Sequence, residues 1–354
     1  MASPQDYGST AVMDTSLSIQ ACPTHSDTDS GHHEERISFS DLGIHQQPSS
    51  METCCGQTRH FSTISCKEWI FLASSTLSIL AAAGLTIERL ATVPVNSPYF
   101  TFSVVVMINI CFVLCYVING VFTERSYEIF IFIVGTLILM IECILNFAVT
   151  INSPDMEKYE RRVKLTRMII LLVMGLINII FGAIMSATYW SSTDVVFRCA
   201  GALVDRQGVY SRMCFSASML KIDLQLELSL VVLALKSGQD ANPPETVILT
   251  LGISYVSIWT VCGVLAMTKD SKRMVYVVLG LSWCEPAYIV YRFVDIGIHW
   301  ATFSISKVIP AASIVFGIFG LVVRVTLCGA LVSVYRNFGK GMKGEAGRGI
   351  TPLL

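Results

Sequence analysis

Residues 214–235 read CFSASMLKIDLQLELSLVVLAL, and this stretch decides how the rest of the chain is organised. It is long enough to cross a bilayer, yet it contains several ionisable side chains. A projection at about 100° per residue separates its polar residues into two stripes: Ser218, Lys221, Gln225 and Ser229 on one face, and Ser216, Asp223 and Glu227 on a nearly opposite face. An interfacial helix should show one polar arc. The two stripes predict a helix that protein encloses on several sides.

The chain around this stretch is unusually apolar. Hydrophobic residues make up 53% of it and charged residues 14%, whereas soluble domains carry about 25% charged residues. Apolar segments suited to a hydrocarbon core of ~30 Å lie at 69–87, 100–122, 127–151, 168–190, 213–235, 245–267, 274–295 and 308–334. The sequence therefore predicts an all-α, polytopic transmembrane helix bundle with about eight spans over residues 67–335.

Two polar tails flank the predicted bundle. Residues 1–66 form an acidic stretch that contains many Ser, Thr and His and shows no apolar periodicity, so we expect it to be disordered. Cys54, Cys55 and Cys66 lie just before the first span and are candidates for S-acylation. Residues 336–354 form a short basic tail, a candidate contact for a cytosolic partner or for anionic lipid.

The number of spans depends on residues 213–235. If this segment crosses the bilayer, the chain has eight spans and a cytosolic N-terminus; if it does not, seven spans remain and the N-terminus is external. The basic loop residues do not separate the two topologies, partly because residues 158–167 place many of them in the expected loop between segments three and four. Both topologies put the C-terminus in the cytosol. The two-stripe pattern favours eight spans.

Ionisable residues at membrane depth are costly, so each is a candidate for function. The candidates for a substrate or ion site are Glu142, Lys221, Asp223, Glu227, Glu285 and Arg292, with Arg324 as a further buried cation. Pro286 follows Glu285 and removes a backbone hydrogen bond, which predicts a helix break in the middle of its span. The alternative interpretation is that these charges form interhelical ion pairs that only specify packing.

The spacing of the segments suggests an internal duplication. Segments one to four occupy 69–190 and segments five to eight occupy 213–334, stretches of equal length with similar internal spacing. Glu142 and Glu285 lie at nearly equivalent positions of the two stretches. A duplicated four-helix unit would form a parallel repeat with a site at the interface of its halves.

Several functional classes are excluded or disfavoured. The chain contains no HExxH, G-x-S-x-G, Walker or dinucleotide-binding motif, so we expect neither an enzyme nor a cofactor, and no metal site. The formal net charge of -1 gives no reason to expect nucleic acid as a partner. The leading hypothesis is a carrier-like or ion-coupled membrane protein that handles a small solute or ion in a central polar cavity. The alternatives are a seven-span, receptor-like signalling protein and a structural or accessory membrane subunit.

Overall fold

The computed structural model describes residues 50–53, 56–59, 63–95, 97–150, 158–192, 204–234, 243–269, 271–299 and 308–337. Two short strands pair antiparallel, β1 (Ser50–Thr53) and β2 (Gly56–Arg59). The helices are α1 (Cys66–Thr92), α2 (Pro98–Thr123), α3 (Ser126–Thr150), α4 (Lys158–Ser191), α5 (Val204–Val232), α6 (Pro243–Thr268), α7 (Lys272–Leu281), α8 (Cys284–His299) and α9 (Val308–Tyr335).

The predicted all-α membrane bundle is confirmed. Within the described residues, seven helical stretches are long and apolar enough to cross a membrane, with α7 and α8 together forming one of them, Lys272–Ile298. The remaining long helix is α5, whose ionisable residues lower its hydropathy. Each of the eight apolar segments corresponds to a long helix or, for 274–295, to the α7–α8 pair.

Helix α5 lies in the interior of the bundle. It contacts α6 and α9, which follow it in the sequence, and α2 and α3, which precede it. It runs antiparallel to α6, because Gly252 faces Val231 while Gly263 faces Leu220. Since α6 is apolar enough to cross the membrane and α5 accompanies it through the same depth, this arrangement supports an eighth crossing. It also explains how a polar helix can sit among apolar ones: its neighbours are protein.

The outward surfaces of the other helices are apolar. On α4, Ile170, Ile177 and Ile184 recur every seven residues and are 53%, 38% and 58% exposed. Similar large apolar side chains are exposed along α6, α8 and α9. Exposed apolar surface on this scale is unusual for a protein in water and is the surface that lipid tails would cover. The chain is a multi-pass membrane protein.

The start of α4 differs from expectation. Residues 158–167 were expected to form a basic loop, but they are the first turns of α4, which begins at Lys158. The reason is local: this stretch contains neither proline nor glycine, and its Lys, Arg, Glu and Leu residues favour helix. These residues therefore belong to a helix that extends past the apolar segment.

The predicted tails lie mostly outside the described residues. Residues 1–49, Cys54, Cys55 and residues 338–354 are among those that are not described. Within 50–66, the two strands pair, and α1 begins at Cys66 behind a capping box in which Ser65 and Glu68 each bond the other's backbone N–H. A Ser-x-x-Glu sequence is the usual signal for such a helix start. The predicted boundary at residue 66 therefore coincides with the start of the first long helix.

Candidate functional site

The two polar stripes of α5 face different neighbours, as their separation on the helix predicts. Lys221 and Gln225 meet side chains of α2 and α3, whereas Asp223 and Glu227 meet α9. All four are nearly inaccessible to solvent. A single helix thus carries one polar surface toward each half of the chain.

Arg324 of α9 lies among three carboxylates. Its Nη2 is 3.2 Å from Asp223 Oδ2 and also contacts Glu227 Oε1, while its Nε donates to Glu285 Oε2. On its other side, the Arg324 guanidinium stacks on the indole of Trp259, with 3.8 Å from Cζ to the ring centroid. We call Asp223, Glu227, Glu285 and Arg324 the acidic cluster.

The acidic cluster is buried and unbalanced in charge. Its three carboxyl groups are 0%, 2% and 5% exposed by residue, and Arg324 is 2% exposed. With every group ionised, one guanidinium would face three carboxylates and leave two negative charges without a cation among the described residues. Charges removed from water are costly unless they are paired, and buried acids instead tend to take up protons. The geometry therefore favours an acidic cluster that holds protons as well as Arg324.

A helix break adjoins the acidic cluster. Helix α7 ends at Leu281 and α8 begins at Cys284, so the two helices are separated just ahead of Pro286, the residue from which a helix break was predicted. The carbonyl of Leu281 accepts a hydrogen bond from the Tyr255 hydroxyl, and that of Val278 accepts one from the Trp259 indole. The Tyr255 hydroxyl thus satisfies a carbonyl group at the end of α7, whereas the Val278 carbonyl also accepts from the Ser282 N–H.

Glu285 is placed by both the break and its neighbour on α9. It lies in the first turn of α8, where the helix dipole favours a negative charge. Gly320 faces it so closely that a Cβ at this position would be 3.1 Å from Glu285 Oε1. The absence of a side chain at Gly320 lets α9 bring Arg324 against the start of α8.

Lys221 belongs to a second polar group, at the junction between α5 and the first half of the chain. Its Nζ is 2.5 Å from Glu128 Oε1, an acceptor that Ser218 also uses. The Tyr116 hydroxyl contacts both the Lys221 carbonyl, at 3.1 Å, and Gln225 Oε1, at 2.9 Å. Glu128 was not among the predicted residues, because it lies at the start of its apolar segment rather than in the middle.

The same polar group continues to Glu142. Gln225 Nε2 donates to Asn109 Oδ1 at 2.8 Å, and Asn109 Nδ2 donates to Glu142 Oε1 at 2.6 Å. Glu142 is 1% exposed, and its Oε2 has no hydrogen-bond partner among the described residues. Buried hydrogen bonds therefore connect α5 to a carboxyl group inside the first half.

Glu142 also lines a cavity of about 710 Å³ enclosed by α1, α2, α3 and α4. Arg89 and Arg167 lie on its wall, together with Asn146 and mainly apolar side chains. Asp223, Glu227, Glu285, Lys221 and Arg292 do not line it. The expected single polar cavity shared by all six candidates is therefore wrong: the residues divide among separate environments, because the two faces of α5 point to different helices.

Arg292 lies apart from the acidic cluster. Its Nη1 is 3.4 Å from Asp295 Oδ2, and its Nη2 donates to the Leu233 carbonyl at 3.2 Å, near the end of α5. The Leu233 contact satisfies a carbonyl group at a helix end, which is a structural role. Arg292 thus joins α8 to α5 without contacting the three carboxylates.

Oxygen atoms of Asp223, Glu227 and Glu285 lie within 4.8 Å of one another, a spacing that could hold a metal ion. However, the Arg324 guanidinium already contacts all three of these carboxylates. A metal ion at their centre would lie beside a positive charge and would have to displace it. The arrangement suits protons better than a metal ion.

Other predicted or overlooked residues can be placed briefly. Cys66 is exposed at the start of α1 and has a free thiol. Arg324 was recognised as a buried cation but not as part of the site, and Trp259 was not singled out. A tryptophan and an arginine in the middle of apolar segments were the available signals, since both need polar partners when buried.

A comparison with known protein families identifies a match. A protein-family model described as "Domain of unknown function (DUF7789)" matches two segments of the chain, residues 55–187 and residues 200–333. No curated protein and no solved structure matches. The first matched segment contains α1 to α3 and most of α4, and the second contains α5 to α8 and most of α9. These are the two stretches that the segment spacing marked as a duplication, and together they cover most of the chain, which therefore belongs to the DUF7789 family.

Proposed function

We propose that this protein is a carrier-type, proton-coupled membrane protein whose exchangeable protons reside on the acidic cluster. The observation that carries the proposal is the placement of three buried carboxyl groups around the single Arg324 guanidinium. One guanidinium neutralises only one of the three carboxylates, so the net charge of the cluster depends on how many protons the other two carboxyl groups hold. Loss or gain of a proton changes which carboxylates Arg324 must neutralise.

The position of the acidic cluster gives this change a mechanical consequence. Its members come from α5, α8 and α9, and Glu285 directly follows the break between α7 and α8. Interrupted helices line the sites of many transporters. Protonation of Glu285 weakens its attraction to Arg324, which would free the start of α8 to move relative to α9. This couples proton occupancy to the arrangement of three helices.

Proton flux in reconstituted vesicles tests the proposal. The protein is incorporated into vesicles that contain a pH-sensitive dye, and a pH gradient and a membrane potential are imposed. Wild-type protein should move protons faster than protein-free vesicles, and Glu285→Gln and Asp223→Asn should each remove most of that flux. Glu88→Gln, which neutralises an exposed carboxylate outside the cluster, is the matched control and should leave it unchanged.

Two results would reject the proposal. One is a wild-type flux equal to that of protein-free vesicles. The other is an unchanged flux in both amide variants when their thermal stability is also unchanged. In that case the charges would serve packing alone, as in a structural or accessory subunit.

The seven apolar helices are the observation that favours the receptor-like alternative. This alternative requires α5 not to cross the membrane, and hence an external N-terminus. An epitope tag at the N-terminus of the full chain, probed before and after the membrane is permeabilised, distinguishes the two. Eight crossings put both termini on the same side of the membrane, whereas seven put them on opposite sides.

A further inference from the structure

The cavity inside α1–α4 is elongated along the helices. Its wall on α1 extends from Ser78 to Val93, which is ~22 Å along the helix at ~1.5 Å per residue. Its volume of about 710 Å³ lies within the roughly 300–1,000 Å³ that is usual for a pocket holding one small ligand. A pocket of this length and volume suits one extended hydrocarbon chain with a small head group.

One end of the cavity is cationic. Arg89 and Arg167 both line this end, and Arg89 Nη2 donates to Asn146 Oδ1 at 3.0 Å. Arg167 donates to the Leu85 carbonyl and lies 4.0 Å from the carboxylate of Glu88, whose side chain is 68% exposed. The exposed Glu88 marks the end at which the cavity reaches the surface. Two neighbouring guanidinium groups at such an entrance favour an anion.

The remainder of the wall is mainly apolar, and Glu142 is its one charged residue; the polar side chains of Ser78 and Asn178, which also line it, hydrogen-bond to each other. Ile79, Ile110, Val113 and Met174 line the deeper part. Glu142 lies one helical turn before Asn146 on α3, so its carboxyl group is about 6 Å deeper than the cationic end. Its Oε2 is buried and has no hydrogen-bond partner among the described residues, so a small rotation of the side chain toward the cavity would let this atom accept a hydrogen bond from a ligand.

We propose that this cavity binds a single-chain amphiphile of the lysophospholipid type. Its anionic phosphate lies between Arg89 and Arg167, and a hydroxyl group next to the phosphate donates to Glu142 Oε2. Its hydrocarbon chain occupies the deeper apolar part. The order of the three chemical groups along the ligand matches the order of the three kinds of wall along the cavity. The inference concerns binding alone and does not depend on proton movement by the acidic cluster.

Binding of 1-oleoyl-lysophosphatidic acid to the purified full-length protein, followed by native mass spectrometry, tests this site. Removing one guanidinium in Arg167→Gln should weaken binding about tenfold, because a charge-assisted contact is lost. Arg273→Gln removes an exposed arginine on α7, outside the cavity, and is the matched control; its binding should equal that of the wild type.

Analogues of the lipid test each part of the match. The analogue without the hydroxyl should bind wild-type protein about tenfold more weakly, and Glu142→Gln should reduce this discrimination. Inorganic phosphate should not compete, because it lacks the chain; competition by phosphate at the affinity of the lipid would mean a small-anion site and would overturn the proposal. Equal binding of dioleoyl phosphatidic acid would mean surface association of lipids and would also overturn it, as would equal binding by Arg167→Gln and the wild type.

Discussion

In each half of the bundle, the last long helix packs against the first, and the polar contact between the two differs. In the first half, Asn178 of α4 donates to Ser78 and accepts from Ser75 of α1. In the second half, Arg324 of α9 contacts Asp223 and Glu227 of α5. The same helix pairing is thus neutral in one half and charged in the other.

The third helix differs in the same direction. In the first half, α3 is continuous and its Glu142 contacts a neutral amide, that of Asn109, beside a cavity. In the second half, the corresponding stretch is broken into α7 and α8, and its Glu285 contacts Arg324. Because one family model matches both halves, the comparison indicates a duplicated unit in which one copy concentrates charge and the other leaves space.

The largest expected effect comes from removing the charge of the second half. Arg324→Met leaves three buried carboxyl groups without their guanidinium, so we expect a loss of roughly 3–5 kcal/mol in the free energy of unfolding. Asn178→Leu, the equivalent change in the first half, removes neutral hydrogen bonds and should cost ~1–3 kcal/mol. Thermal unfolding in a mild detergent, followed by circular dichroism, measures both.

If Arg324→Met does not fold, a variant with further substitutions provides the test. Adding Asp223→Asn and Glu285→Gln to Arg324→Met removes two of the buried acids and should restore much of the lost stability. Equal stability of Arg324→Met and the wild type would show that the acidic cluster is not charged in the folded protein, and the contrast between the halves would disappear.

The junction between the halves should give the next largest effect. Lys221→Met removes the ammonium group that contacts the buried Glu128 and should cost ~3 kcal/mol in the free energy of unfolding. Adding Glu128→Gln removes the charge that this ammonium group contacted, so the double variant should be more stable than Lys221→Met alone. If the two substitutions are additive instead, the ion pair does not join the halves.

The sequence predicted the helices well because the length and apolar composition of a segment indicate a membrane span without any knowledge of its neighbours. The enclosure of α5 was also predictable, since Lys221 and Asp223 fall on different faces of one helix, and only surrounding protein can satisfy both. The break near Pro286 followed from the missing backbone donor of proline. These are properties of single helices.

The composition of the site depended on which helices become neighbours, and a single sequence does not supply this. Arg324 could have paired with any buried acid; its selection of Glu285 depends on the close approach that Gly320 permits. Glu142 resembled Glu285 in position, yet its carboxyl group meets Asn109 of α2, whereas that of Glu285 meets Arg324 of α9. The shared cavity was a wrong prediction for that reason.

A smaller effect should distinguish the packing around α5 from the packing around α1, the first helices of the two halves. Gly252 of α6 faces α5, and a Cβ there would lie 2.8 Å from a Val231 methyl group, so Gly252→Ala should cost ~1–3 kcal/mol in the free energy of unfolding. Gly84 of α1 has nothing within 4 Å of such a Cβ, and Gly84→Ala should add ~0.5–1 kcal/mol through higher helix propensity. Thermal unfolding of the two variants is the measurement. A loss of stability in Gly252→Ala together with a gain in Gly84→Ala would support a tightly enclosed α5 and an open α1. Equal losses in both variants would contradict this difference.

The smallest effect is expected at the ion pair of the first half that lies at the cavity entrance. Arg167 Nη1 and Glu88 Oε2 are 4.0 Å apart, and the Glu88 side chain is largely exposed. Water screens such a pair, so Glu88→Gln should change the free energy of unfolding by only ~0–1 kcal/mol. The same substitution removes a negative charge beside Arg167 and should therefore strengthen the binding of an anion at the entrance. A large loss of stability would mean that charged groups contribute to the stability of the first half as much as the acidic cluster does in the second.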